Sequence, residues 1–149
     1  MASLTELEIK ALEETARNIR GDSLRFIHNR GAGHPGGALS AAELLSVLYF
    51  QTMRVDPSDP AMETRDRFLL SKGHASAALY AALSRRGFFD AAELEHWGEV
   101  TCKHQGHPDR FKTPGVEMTS GILGHGVAVG VGLALAARMT KNPSRTYVL

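Results

Sequence analysis

Apolar and polar positions follow a helical period over the first part of the chain. Between residues 4 and 28, apolar side chains recur every three or four positions with Glu, Lys and Arg between them. This pattern predicts an amphipathic helix over 4–28. Ser3 and Glu6 have the spacing of a capping box and predict its start. Residues 30–37 contain four glycines and a proline, and they predict a loop because both residue types disfavour a continued helix.

The middle of the chain predicts two helices on either side of a buried strand. Ser40, with Glu43 three residues later, predicts the cap of a second helix. A short apolar run at 66–71, bounded by charged residues and glycine, predicts the strand. Alanine and leucine then favour a third helix over 75–86, and Gly87 predicts its left-handed end.

The last third predicts a long loop between two helices, followed by a second strand. Asp90 and Glu93 have the spacing of a helix start and predict a short fourth helix. Residues 98–120 show no periodicity, and a loop of this length in a folded domain is usually functional. Residues 124–140 predict a fifth helix, and 145–149 predict a strand.

Helix followed by strand, repeated along the chain, predicts an α/β fold. The expected architecture is part of a parallel sheet with helices on both faces. Ligands of such sheets bind beyond the carboxyl ends of the strands, and the sequence reaches residue 149 where the second strand would deliver a ligand loop. Two short strands do not make a stable parallel sheet. We therefore expect residues 1–149 to be a truncated part of a larger unit.

The composition is that of a globular protein and gives no sign of a nucleic-acid or membrane protein. Hydrophobic residues make up 43% and charged residues 22% of the chain, which is typical of a globular domain. A net charge of +1 gives no electrostatic reason to expect nucleic acid or an anionic membrane as a partner. No apolar run is long enough to span a bilayer, and the first residues lack the features of a signal peptide. A single cysteine, Cys102, fits a reducing compartment, so we expect a cytoplasmic protein.

Three histidines stand beside glycine, two of them just ahead of a predicted helix. They are His34 in Gly33-His-Pro-Gly-Gly, His74 in Lys72-Gly-His-Ala, and His107 in Gly106-His-Pro-Asp. Glycine lets the backbone approach a ligand closely, and a helix N-terminus presents free N–H groups to an anion. A fourth glycine-rich segment, 121–126, precedes the fifth helix. These four glycine-rich segments together predict one polar site assembled from several loops.

Each of these features also has an interpretation without chemistry. His34 fits a flexible surface loop about equally well, and His74 fits a solvated helix start. His104 and His107 have metal-ligand spacing, but no acidic or cysteine set completes a site near them. Trp97 is expected in the core. The arginines of the first helix are expected on a solvated face: Arg17, Arg20, Arg25 and Arg30.

In this order, the motifs resemble those of transketolases. The matching segments are Gly33-His-Pro-Gly-Gly, Arg65-Asp-Arg-Phe-Leu-Leu-Ser-Lys-Gly-His-Ala, Gly106-His-Pro-Asp and Thr119-Ser-Gly-Ile-Leu-Gly-His-Gly. The resemblance runs from about residue 10 to the last residue. It is to the N-terminal, diphosphate-binding part, in the style of transketolases split into two subunits. It therefore implies that 1–149 is the N-terminal part of the diphosphate-binding domain.

The resemblance implies thiamine diphosphate as cofactor and transfer of a two-carbon ketol unit from a ketose phosphate to an aldose phosphate. It implies that His34 and His107 are catalytic and bind the sugar substrate. It implies that His74 and the turn Gly121, Ile122 and Leu123 contact the cofactor. Ile122 stands where the family often has proline. His125 stands where glutamine is common, and it is a lower-ranked candidate.

The family's magnesium ligands lie in a Gly-Asp-Gly motif that would follow Leu149, so the resemblance implies Mg²⁺ but no metal ligand within 1–149. It also implies a pyrimidine-domain partner subunit, within a homo- or hetero-oligomer. These residues alone are then expected neither to bind cofactor tightly nor to turn over. Two alternatives stay open: a non-catalytic association module, and a related thiamine diphosphate enzyme acting on another sugar. The Ser71-Lys-Gly-His-Ala motif disfavours deoxyxylulose-phosphate synthase.

Overall fold

The computed structural model describes residues 3–149, and its first helix begins two residues later than predicted. Helix α1 spans Glu6–Arg30, and its N-cap is Thr5. The Glu8 amide donates to Thr5 Oγ1 at 3.3 Å, and the Glu8 carboxylate accepts from the Thr5 amide at 2.8 Å. The predicted box of Ser3 and Glu6 is therefore wrong. The capping pattern occurs twice here, two residues apart, and the second copy is used.

The glycine-rich segment after α1 is a loop only in its first half. Helix α2 spans Pro35–Leu39, because proline has no N–H to lose at the first helical position and its fixed φ suits a helix. Helix α3 spans Ala42–Val47 and continues through a π turn, Leu48–Thr52. Ser40 is not its cap, since the Ser40 hydroxyl donates to the Gly37 carbonyl at 3.1 Å.

Both predicted strands form, and they pair in parallel as expected. Strand β1 spans Arg67–Leu69 and β2 spans Thr146–Val148, with Phe68 opposite Tyr147. Side chains alternate between the faces of a sheet. Phe68 and Tyr147 therefore face one side, where Phe68 meets Tyr49 with ring centroids 5.6 Å apart. The α/β interpretation is confirmed.

The core is built around the third predicted helix. A 3₁₀ turn, Gly73–Ala75, leads into α4, which spans Ser76–Arg86 and ends at left-handed Gly87 (φ 101°). Every residue of α4 from Ser76 to Leu83 is buried. Helices α1 and α3 pack against it. Trp97 is buried, as predicted.

The predicted fourth helix is only a 3₁₀ turn, Ala91–Leu94, in which Asp90 Oδ1 accepts from the Ala92 amide at 2.9 Å. The long loop that follows reaches helix α5, His125–Met139. No helix among residues 3–149 combines the length and apolar character needed to cross a membrane.

Helix α5 covers the second face of the sheet. A Cβ built on Gly130 would lie 2.5 Å from Val148 Cγ2, so the glycine permits close packing of the helix on β2. The buried residues of α5 are Gly126 and Gly130. The opposite side of α5 is an exposed apolar face, with one large side chain every fourth residue: Val127, Val131, Leu135 and Met139.

Candidate active site

The candidate site lies beyond the carboxyl end of β1, where ligand loops of parallel sheets are found. Ser71 follows this strand, and its carbonyl accepts from the Gly124 amide at 3.2 Å. Its hydroxyl accepts from the Gly126 amide at 3.0 Å. A Cβ built on Gly126 would lie 2.7 Å from Ser71 Cβ. Glycine at 126 thus lets the start of α5 dock directly on the end of the strand.

Lys72 joins the segment after β1 to the loop that carries His34. Its ammonium donates to the Gly37 carbonyl at 3.2 Å and to Ser40 Oγ at 3.0 Å. Ser40 is therefore part of this tie rather than a helix cap. The result is that α2 and the turn carrying His74 are held together.

The imidazoles of His34 and His74 are in contact. Their ring centroids are 5.2 Å apart in an edge-to-face arrangement. A Cβ built on Gly37 would lie 2.7 Å from His74 Cδ2, so only glycine leaves room for this ring. Burial lowers the pKa of His74, and positive charge on His34, Lys72 and His107 lowers it further. His74 is thus favoured in its neutral form, able to donate one hydrogen bond and accept another.

His107 reaches the same place from the long loop. A Cβ built on Gly73 would lie 2.9 Å from both His107 Cδ2 and Ser120 Oγ. His107 is exposed, whereas Ser120 is buried. The Ser120 hydroxyl has no hydrogen-bond partner within residues 3–149. The structure therefore brings together His34, His74 and His107.

Side chains that the sequence did not single out hold the loop ahead of His107. Ser76 Oγ donates to the Gly106 carbonyl at 2.6 Å. The Gln105 carbonyl accepts from Tyr80 Oη at 2.9 Å and from Trp97 Nε1 at 3.1 Å. The sequence does hold one sign of this role: Ser76 and Tyr80 stand four residues apart in a helix that is otherwise mostly apolar. Such a pair lies on one helix face.

Arg30 is exposed, as predicted for the α1 arginines, and its guanidinium also supports this loop. Its guanidinium carbon lies 4.8 Å from the centroid of the Trp97 ring, at cation–π distance. A Cβ built on Gly98 or Gly106 would meet this guanidinium. Arg20 and Arg25 instead form ion pairs, with Glu43 and Asp22.

His104 is a buried residue of the loop, and both of its ring nitrogens lie beside an oxygen atom. Its Nδ1 lies 3.2 Å from Thr113 Oγ1, and its Nε2 lies 3.2 Å from Glu93 Oε2. Burial lowers the pKa of His104, and Glu93 opposes this effect. Within the described residues, no group of three His, Cys, Asp or Glu side chains is placed to hold a metal ion.

The turn at residues 121–123 is open to a ligand. Ile122 and Leu123 are 75% and 68% exposed, and a Cβ built on Gly121 would meet nothing within 4 Å. His125 is exposed as the first residue of α5. Open backbone at a helix start, with imidazoles and Lys72 on neighbouring loops, fits an anionic group such as the diphosphate of thiamine diphosphate.

Comparison with known proteins gives the same family over most of the chain. A family model described as transketolase, thiamine diphosphate binding domain, matches residues 11–146. An apulose-4-phosphate transketolase subunit of Phocaeicola vulgatus is 41% identical over 143 residues, which are 96% of this chain and 50% of that protein. A 6-deoxy-6-sulfo-D-fructose transketolase subunit of Clostridium sp. is 41% identical over 138 residues, 93% of this chain and 50% of that protein.

The fold agrees with these sequence matches. Transketolase from Leishmania mexicana superposes with a TM-score of 0.85 and 36% identity, over 99% of this chain and 22% of that chain. The chain spans about half the length of the two subunit relatives. Since sequence and structure match over nearly its whole length, this chain belongs to the transketolase family, as part of its thiamine diphosphate-binding domain.

Proposed function

We propose that residues 1–149 are the N-terminal part of the diphosphate-binding domain of a transketolase. With the rest of the domain and a pyrimidine-domain subunit, they would transfer a two-carbon ketol unit from a ketose phosphate to an aldose phosphate. The observation that carries this proposal is the meeting of three imidazoles from three separate loops. His34 and His74 are in contact, and His107 packs against Gly73, next to His74.

Each histidine has a proposed role that follows from its surroundings. His34 and His107 are exposed, so they can reach a sugar, bind its hydroxyl groups and move protons near neutral pH. His74 is partly buried, beside Gly37 and the His34 ring, which suits a contact to the cofactor. Thiamine diphosphate supplies the electron sink when it is bound, while the protein orients the reacting groups.

The backbone of residues 121–123 would contact the cofactor with His74. The proposed residues are Gly121, Ile122 and Leu123, and their exposure leaves this contact open. Mg²⁺ would be held by residues outside 1–149 and would supply positive charge to neutralise the diphosphate. Sugar phosphates are the proposed substrates, and the single cysteine supports a cytoplasmic setting.

The apolar face of α5 supports a partner subunit. Val127 and Val131 are 57% and 56% exposed, and Met139 is 82% exposed. A row of large apolar side chains on one helix face is typical of an interaction surface. Two relatives of this chain are named as transketolase subunits. We therefore propose that α5 packs against the pyrimidine-domain subunit in an oligomer.

The proposal is tested on the full-length protein that contains these residues. Thiamine diphosphate with Mg²⁺ is titrated into it by calorimetry, alone and with the pyrimidine-domain subunit, and ketol transfer is then assayed. The expected result is transfer only in the complex. His107→Asn should lower kcat/KM by about 10²–10⁴-fold, the range of a lost proton-transfer group, with cofactor affinity kept. His74→Asn should instead weaken cofactor binding.

The matched control is His96→Gln, since His96 is an exposed histidine paired with Glu99. It should behave as the wild type. Absence of cofactor binding in the complex would contradict the proposal and favour the non-catalytic module.

A second candidate concerns the sugar. The names of two relatives specify apulose-4-phosphate and 6-deoxy-6-sulfo-D-fructose, so we propose that unusual ketoses belong in the donor panel. We would compare kcat/KM for these two donors with kcat/KM for xylulose 5-phosphate. The donor with the highest value identifies the preferred sugar.

A further inference from the structure

His104 combines complete burial with two polar contacts, in a loop that is otherwise largely polar. Its relative exposure is 0%. Its ring packs against Phe89, with centroids 4.2 Å apart, and meets Tyr80 edge-on at 5.4 Å. Both ring nitrogens lie 3.2 Å from an oxygen, on Thr113 and on Glu93. A buried polar ring with both nitrogens engaged has a fixed orientation.

The neighbouring groups determine which nitrogen carries the proton. The Lys103 ammonium, 2.6 Å from Glu93 Oε2, is the main cause that lowers the pKa of Glu93. Glu93 is therefore an anion at neutral pH and can only accept, so His104 Nε2–H donates to it. In the neutral ring favoured by burial, Nδ1 is then an acceptor. The Thr113 hydroxyl, which also lies 3.4 Å from the Lys103 carbonyl, is the donor closest to Nδ1, at 3.2 Å.

The bond between His104 and Thr113 closes the base of the loop that carries His107. Residues 104 and 113 are its two ends, and His107 lies between them. The Thr113 amide also donates to the Asp109 carbonyl at 3.0 Å. Tying the ends of a loop removes conformations that would otherwise spread its side chains over many positions.

The same loop is tied to the turn proposed to contact the cofactor. The Ser120 amide donates to the Pro108 carbonyl at 3.1 Å. Thr119 Oγ1 donates to Asp109 Oδ1 at 3.2 Å. His107 therefore stands between two fixed points. One is the turn before Gly121, and the other is the buried bond of His104 to Thr113.

We propose that His104 is a positioning residue that places the His107 imidazole in the site by closing its loop through Thr113. The inference rests on the proposed function, since His107 is the proposed catalytic group. His104 is fully buried, so it is not placed to contact substrate or cofactor. A displacement of a reacting group by about 1 Å can cost on the order of 100-fold in rate, so a loop tie of this kind affects turnover.

Two substitutions at His104 separate its two hydrogen bonds. An asparagine amide occupies the position of Nδ1, and a glutamine amide reaches the position of Nε2. His104→Asn should therefore keep the bond to Thr113, and His104→Gln should lose it. Thr113→Val removes the partner with little change of shape.

The expected result is measured on the full-length protein with its pyrimidine-domain subunit, as kcat and donor KM per bound thiamine diphosphate. His104→Gln and Thr113→Val should each lower kcat/KM on the order of 10-fold, and His104→Asn should lower it clearly less. The double variant, His104→Gln with Thr113→Val, should be no worse than either single one, because both remove one shared interaction.

Amide hydrogen exchange over residues 104–113 gives a readout that does not depend on activity. Exchange should accelerate in His104→Gln and Thr113→Val. It should be unchanged in the control His96→Gln, which alters an exposed histidine outside this loop. The inference is overturned if exchange is unchanged in both variants. It is also overturned if the loop is released while kcat and KM per bound cofactor stay at wild-type values, because the role is then only structural.

Failure of the proposed function gives a different pattern. The wild-type complex would then show no ketol transfer at all. Loop exchange would still decide whether His104 holds the segment that carries His107.

Discussion

Two glycines decide how closely the candidate imidazoles can approach one another. From the sequence, glycine beside histidine indicated that the backbone comes close to a ligand. The structure shows that Gly37 and Gly73 instead come close to His74 and His107. The absent side chains make room for neighbouring rings, and the rings in turn line the site. This contact is between different loops, so local spacing alone could not indicate it.

Gly73→Ala should be destabilising. The added Cβ would lie 2.9 Å from His107 Cδ2 and 3.0 Å from the carbonyl carbon of Ser120, and this backbone atom cannot rotate away. Overpacking of this kind costs about 1–3 kcal/mol of unfolding free energy. Urea unfolding of the full-length protein, followed by circular dichroism, measures it.

Gly21→Ala is the matched control, because Gly21 lies within α1 and a Cβ there would meet nothing within 4 Å. Alanine in a helix interior should raise the unfolding free energy by about 0.5–1 kcal/mol. An unchanged or raised unfolding free energy in Gly73→Ala would contradict the contact at Gly73.

At the scale of elements, periodicity predicted most helices and both strands. Gly87 and Asp90 were predicted correctly at the end and start of their elements, whereas the predicted caps Ser3 and Ser40 were wrong. Apolar spacing extends over a whole element, so tertiary packing rarely reverses it. A cap depends on one residue and its φ and ψ angles, and competing patterns occur nearby. Thr5 with Glu8 was preferred over Ser3 with Glu6, and Ser40 was drawn into the bond with Lys72.

In the candidate site, too, residues within a recognisable local pattern could be predicted, and residues that act through distant partners could not. His34, His74 and His107 could be proposed from the sequence because each stands in a short motif. The residues that hold the long loop could not be, because Ser76, Tyr80 and His104 act over 9 to 30 positions of sequence. The partners of Ser76 and Tyr80 are backbone carbonyls, and those of His104 are single side chains, Thr113 and Glu93, so none of them carries a sequence signal.

Asp66 joins the two strands to the chain ahead of them. Its carboxylate accepts from the Arg54 amide at 2.9 Å, from Arg54 Nη2 at 3.0 Å and from the Arg145 amide at 2.7 Å. Burial acts to raise the pKa of Asp66, but these hydrogen bonds outweigh it and hold the pKa below its ordinary value of 3.8. Asp66 is therefore charged in the folded protein at neutral pH.

Asp66→Asn should lower the unfolding free energy by about 1–3 kcal/mol at pH 7, because an amide N–H would face the Arg54 donors. The folded pKa is the lower one, so the stabilisation by the carboxylate is present above pH 3.8 and is lost as the pH falls through the folded pKa. The difference between wild type and variant should therefore shrink in acid. Denaturant titrations from pH 7 to below pH 3.8 measure it.

Asp59→Asn, at an exposed carboxylate in the preceding turn, should change stability little across the same pH range. A wild-type to Asp66→Asn difference that stayed constant down to the lowest pH would show that the charge of Asp66 is not what joins the strands.

At the scale of the whole molecule, α5 links the candidate site to the proposed partner. Its first residues dock on Ser71 at the end of β1, and its buried glycines face the sheet. Its exposed apolar face begins two residues after His125. A partner seated on this face would therefore lie beside the turn at residues 121–123, where the proposed cofactor contacts are exposed. Partner binding and cofactor binding are then expected to be coupled.

Val131→Asp tests this coupling in the full-length protein. Val131 lies in the middle of the apolar face and is 56% exposed, so aspartate there is tolerated in the free subunit but is costly once buried against a partner. Association measured by analytical ultracentrifugation should weaken on the order of 10-fold or more, since a buried unpaired charge costs several kcal/mol. Thiamine diphosphate affinity in the presence of the partner should fall together with this association.

The matched control is Val100→Asp, at a valine that is 98% exposed in the long loop. It should leave both the association and the cofactor affinity at wild-type values. Equal association of the two variants would place the partner elsewhere, and loss of folding in Val131→Asp alone would show that the chain's own downstream residues cover α5.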